Sequence, residues 1–100
     1  MPKGNDMDLG TSLELLATTH QFPGKYVFKA IGVLDDDFPD RIVAAIRSEL
    51  KHEFDSPASV RETSGRRHVS VTVEPWIETP EQVLAIYDRL KAETGLVMLF

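Results

Sequence analysis

Within the stretch from Arg67 to Glu74, hydrophobic and polar residues alternate from His68 onward, with Val69, Val71 and Val73 set against His68, Ser70, Thr72 and Glu74. A period of two places the valines on one face of a strand and the polar residues on the other. Lys25 to Val33 is rich in β-branched and aromatic residues, with Tyr26, Phe28 and Ala30 on one side and Val27, Lys29 and Ile31 on the other. Apolar side chains on both faces predict a central strand, or one whose second face is covered by a partner.

The period changes after Gly32. Phe38, Ile42, Ala45, Ile46 and Leu50 recur at three- and four-residue steps, with Glu49 interrupting the stripe. Asp35, Asp36 and Asp37 supply capping carboxylates and Pro39 a first-turn proline, so a helix is predicted from there to about Glu53. Asp55, Ser56 and Pro57 then break the chain before a strand over about 58–63. Ser64 and Gly65 turn it into the alternating strand. Pro75, Trp76 and Ile77 read as a connection, with Trp76 and Pro75 lying over the end of the core. Thr79 to Gln82 resembles a capping box opening a second helix from Pro80 to about Glu93. Val83, Ile86, Tyr87 and Leu90 form its buried stripe, and Gly95 is placed as its cap. Leu96 to Phe100 is a short last strand.

Ahead of these elements, a short helix is predicted from Thr11 or Ser12, ending before the turn at Gln21 to Gly24. Residues 1–10 have no periodic apolar face and read as a flexible tail. The expected organisation is a single domain over 11–100 in β-α-β-β-α-β order, an α+β ferredoxin-like sandwich. Its four-stranded antiparallel sheet carries two helices on one face. The other face then presents Val27, Lys29, Ile31, Ser70 and Thr72, a mixed surface suited to a homodimer or a protein partner.

A length of 100 residues allows one core, since folding at this size removes roughly two-thirds of the chain's surface from water. A formal net charge of −5 works against a nucleic-acid partner. Arg61, Arg66, Arg67 and His68 are a local exception, explained by a solvated turn. The third strand's outward His, Ser, Thr and Glu residues also lack the aromatics on which RNA-recognition sheets stack bases. No apolar run approaches the roughly 20 residues needed for a bilayer. With no basic-then-apolar leader either, a cytoplasmic location is the expectation.

Candidate chemistry is sparse. The absence of cysteine excludes disulfides and thiolate ligands. His20, His52 and His68 are scattered, Asp35 to Asp37 with Asp40 lack calcium-loop spacing, and neither GxGxxG, Walker A nor GxSxG occurs. No cofactor or metal is implied, and Asp36, His68 and Glu74 would be the residues of any unrecognised catalytic site.

The segments QFPGKYVFKAIG, SGRRHVSVTV, EQVLAIYDRL and LVMLF occur in the order found in the bacterial YbeD-like (DUF493) family of uncharacterised proteins, which the chain resembles from about Phe22 to Phe100. The resemblance implies a ferredoxin-like fold similar to ACT regulatory domains, without an established activity. It also implies an effector loop near Gly32, Asp35, Asp36 and Asp37, although GVLDDDFP has no glycine after its proline. The functional expectation is a non-enzymatic regulatory or protein-interaction domain, the alternative being a small-molecule effector sensor.

Overall fold

The computed structural model describes residues 9–35, 37–63 and 65–100. Its elements are α1 (Leu9–Thr19), β1 (Gly24–Lys25), β2 (Phe28–Val33), α2 (Phe38–Leu50), β3 (Ala58–Glu62), β4 (His68–Val73), β5 (Trp76–Ile77), α3 (Pro80–Leu90) and β6 (Leu96–Leu99). β3, β4, β2 and β6 lie side by side in that order, every neighbouring pair antiparallel. Each of α2 and α3 therefore joins two parallel strands across an intervening one, which is the ferredoxin-like arrangement.

The alternations set the core. Phe28 and Ala30 of β2 and Val69, Val71 and Val73 of β4 are buried against Phe38, Ile42, Ala45, Ile46 and Leu50 of α2. Val83, Ile86 and Leu90 of α3 complete the same cluster. Glu49 is half-buried and receives an Arg89 N–H at 3.4 Å, so the interruption in the α2 stripe becomes a tie between the two helices.

Several boundaries depart from the pattern-based expectation. The first strand breaks at Tyr26 and Val27: its opening residues form β1, which pairs with β5 through Gly24↔Ile77 and Lys25↔Trp76. The segment after β4, expected as a connection, thus forms one half of a second, two-stranded ladder. Ile77, not Trp76, closes the end of the core. Ile77 is fully buried, while Trp76 is 50% exposed and donates its indole N–H to Glu78 at 2.9 Å.

α2 ends at Leu50 instead of about Glu53, because Lys51 adopts a left-handed backbone (φ 57°). The Lys51 and His52 N–H groups turn back to the Ser48 and Arg47 carbonyls at 3.2 and 3.0 Å, a Schellman closure without glycine. Its first turn is also not capped as expected. The Asp37 side chain makes no capping bond, and Asp35 Oδ1 accepts the Asp37 N–H at 2.8 Å. At α3, Thr79 makes no side-chain cap; Gln82 accepts the Glu78 N–H at 2.7 Å, one residue earlier than a capping box requires. α3 ends at Leu90 instead of about Glu93, followed by turns in which Gly95 takes φ +87°. α1 begins at Leu9, two residues before the expected hydroxyl cap, and the remainder of the anticipated tail, residues 1–8, lies outside the described residues.

Candidate interaction surface

Strand register arranges the helix-free face of the sheet in two cross-strand rows. One runs Arg61, Ser70, Ile31, Met98, and the other Ser59, Thr72, Lys29, Phe100. The Lys29–Phe100 step lies beyond the end of β6 and is closed by reciprocal backbone bonds of 3.2 and 2.8 Å. Residues paired across antiparallel strands share a face, so each row carries one cation, one hydroxyl or more, and a large apolar side chain at the β6 end.

Four of the residues expected on this face are brought together here: Lys29 is exposed, and Ile31, Ser70 and Thr72 are half-buried. Val27 stands beside them at the break before β2, 51% exposed. An open cavity over the face is lined by Lys29, Ile31, Arg61, Glu62, Thr63 and Ser70. Among the described residues neither Lys29 nor Arg61 forms an ion pair. By contrast Arg41, Arg47 and Arg89 on the helix side each meet a carboxylate. Glu62 borders the cavity and faces Arg66 at 3.7 Å, and Glu74 stands at the far end of the outward row of β4.

Met98 and Phe100, 51% and 55% exposed, join this surface, as do Ser59 and Arg61, without having been expected on it from sequence patterning. A register shift between Ile31 and Gly32 bulges β6, so that Val97 and Met98 are both exposed while Leu96 and Leu99 pack towards the core. Nothing in an uninterrupted apolar run such as LVMLF marks a bulge. The alternation that exposed the other outward positions is missing here.

The loop from Gly32 to Asp37 is occupied by its own structure. Gly32 is buried, and a Cβ built on it would lie 2.4–2.6 Å from three atoms of the Phe38 ring. Asp35 uses Oδ1 on the Asp37 N–H and turns Oδ2 to Arg41 Nη1 at 3.7 Å. Arg41 also reaches Glu93 at 3.3 Å and the Thr94 carbonyl at 2.9 Å. Asp37 is exposed at the helix start, and Asp36 lies outside the described residues. Among those residues no group of three or more His, Cys, Asp or Glu could hold a metal ion, and no helix is long and apolar enough to cross a membrane.

A second polar feature sits where β1 meets β2. Tyr26 and Tyr87 place their hydroxyls 3.2 Å apart, with His20 4.8 Å from the Tyr26 ring and Phe28 5.0 Å from that of Tyr87. Burial first, then the bond to Tyr26, raise the Tyr87 phenol well above its ordinary pKa. A raised phenol pKa disfavours the phenolate, so Tyr87 holds its proton in this tie between the chain before β2 and α3.

The sequence model of a family described as "Protein of unknown function (DUF493)" matches residues 17–100. A "UPF0250 protein" of Shewanella piezotolerans is 26% identical over 76 residues, covering 76% of this chain and 84% of its own. Proteins of the same description from Shewanella loihica and Shewanella halifaxensis are each 29% identical, over 75% and 76% of this chain and 83% and 84% of theirs. The matched region contains the whole four-stranded sheet, α2 and α3.

Proposed function

The chain belongs to the DUF493 family, and we propose that it works as a non-enzymatic regulatory or interaction domain that docks a protein partner or a second copy on its helix-free sheet face. The contact centres on Lys29, Ile31, Ser70 and Thr72, with Val27 at its margin. The observation that carries this reading is the pair of cross-strand rows, which place two cations without ion-pair partners among the described residues beside exposed Met98 and Phe100. Such a mixture matches the rim and core chemistry of a protein interface better than that of an inert solvated sheet.

Ile31→Asp tests the proposal. The wild-type protein should form a homodimer in sedimentation equilibrium or give a reproducible complex when retrieved from its native cells, and the variant should lose either one while retaining the wild-type circular dichroism. A monomer with no complex, or a complex indifferent to Ile31→Asp, refutes it.

The sensor reading, in which Gly32, Asp35, Asp36 and Asp37 bind a small molecule, has less in its favour, because the Phe38 ring fills the space at Gly32 and both Asp35 oxygens are engaged. Thermal-shift screening against amino acids and other small metabolites decides it. A ligand at 100 times its Kd adds about 2.7 kcal/mol to stability, and a panel without a shift removes this alternative.

A further inference from the structure

Resting on the interaction reading, the charge of the open sheet face narrows its partner. We propose that the face receives an acidic amphipathic helix from a partner protein, with carboxylates on Lys29 and Arg61 and apolar side chains over Ile31, Met98 and Phe100. A chain of net charge −5 here presents two cations that no carboxylate engages among the described residues. The adjoining cavity offers the Ser70 hydroxyl and the Ile31 side chain between them. Stacking this face on a second copy would bring four such cations into one interface. Among the described residues strand alternation puts one carboxylate, Glu74, at the end of the row, and Glu62, which also lines the cavity, is paired with Arg66. Like charges brought into a drying interface oppose association, and an acidic partner removes that opposition.

The geometry suits a helix. Lys29 and Arg61 are separated by two strand spacings and two residues along the strands, which places their Cα atoms about 12 Å apart. Two turns of an α-helix advance about 10.8 Å, so acidic residues seven apart on one helical face address both cations. The four-stranded face is about 14 Å wide from outer strand to outer strand, enough to seat a helix of about 10–12 Å diameter. The β6 side then covers its apolar flank.

A photo-crosslinking amino acid in place of Thr72, between Ser59 and Lys29 in the second row, reads the occupant directly in cells that naturally produce the protein. Mass spectrometry of the adduct should return a segment of net negative charge with apolar residues at helical spacing and carboxylates seven residues apart. The adduct should fall at least tenfold in a Lys29→Glu/Arg61→Glu variant, persist in Lys29→Arg/Arg61→Lys, and weaken in lysate brought to high salt. Unchanged thermal unfolding of both double variants shows that the fold is not the cause. An adduct to the open face of a second copy, or to a neutral or basic segment, overturns the proposal. If Ile31→Asp abolishes the adduct but charge reversal does not, the acidic helix fails while the interaction reading stands. If no adduct forms from position 72 or from position 98, both fail.

Discussion

Single residues in this protein are constrained most where backbone and ring compete for one space. Gly32 keeps β2 close enough to α2 for the Phe38 ring to lie against its Cα, with no room for a methyl group. Gly32→Ala should destabilise the fold by about 1–3 kcal/mol, the usual result of overpacking, and a lowered urea midpoint would register it. Lys51 presents the opposite case. Its φ of 57° is a conformation that costs an L-residue about 1 kcal/mol or more, and its side chain is exposed. Lys51→Gly should therefore raise stability by about 0.5–1 kcal/mol despite the greater freedom it gives the unfolded chain. A midpoint that falls would show that the lysine side chain contributes more than its backbone strain removes. The sequence offers Gly32 only as part of an effector loop and places Lys51 inside the predicted helix, because close approach and handedness depend on neighbours that sequence does not place.

At the scale of elements, the short β1–β5 ladder shows how a connection acquires a structural role. Pairing Gly24 with Ile77 and Lys25 with Trp76 orients Ile77 inward and leaves Trp76 half-exposed. Ile77→Ala should cost about 2–5 kcal/mol by opening a cavity, and Trp76→Ala under about 1 kcal/mol, since the indole is solvated. Chemical denaturation of both variants checks the ranking; the reverse order would mean that the tryptophan is the lid. The tyrosine tie between the start of β2 and α3 predicts a pH dependence. The Tyr87 phenol holds its proton more tightly in the folded chain than at the ordinary value of 10.0. Its contribution is therefore fully present below pH 10 and is lost as pH rises beyond that, because the unfolded chain releases the proton first. Urea midpoints measured on either side of pH 10 should fall more steeply in the wild type than in Tyr87→Phe, and parallel curves would remove the tie from the account.

Across the whole molecule, the two faces of one sheet are expected to answer differently to a buried or added charge. Val71 is fully buried beneath the helices, and Ile31, on a neighbouring strand, lies half-buried on the opposite face. Val71→Asp should abolish cooperative unfolding, as an unpaired charge enters the core. Ile31→Asp should leave a folded protein within about 1 kcal/mol of wild type that has lost its binding partner. A calorimetric endotherm retained in the second variant and absent in the first is the expected contrast. Were both to unfold, the open face would be a structural surface and not a docking site.

The sequence by itself determined the repetitive part of this protein. Period-two alternation in β4 and three- and four-residue spacing in α2 and α3 identify which side chains enter the core, and the order of elements with right-handed crossovers narrows the sheet to a few topologies. These are local regularities, written residue by residue, because each strand or helix must turn its own apolar side away from water. Four positions of the candidate surface, Lys29, Ile31, Ser70 and Thr72, were legible for the same reason. Tertiary structure alone decided the β6 bulge that exposes Met98, the separation of β1 from β2, the Phe38 ring over Gly32 and the cross-strand rows that set Arg61 and Phe100 beside the others. Each depends on which distant backbone lies alongside, and register between strands far apart in the chain is set by packing the assembled core.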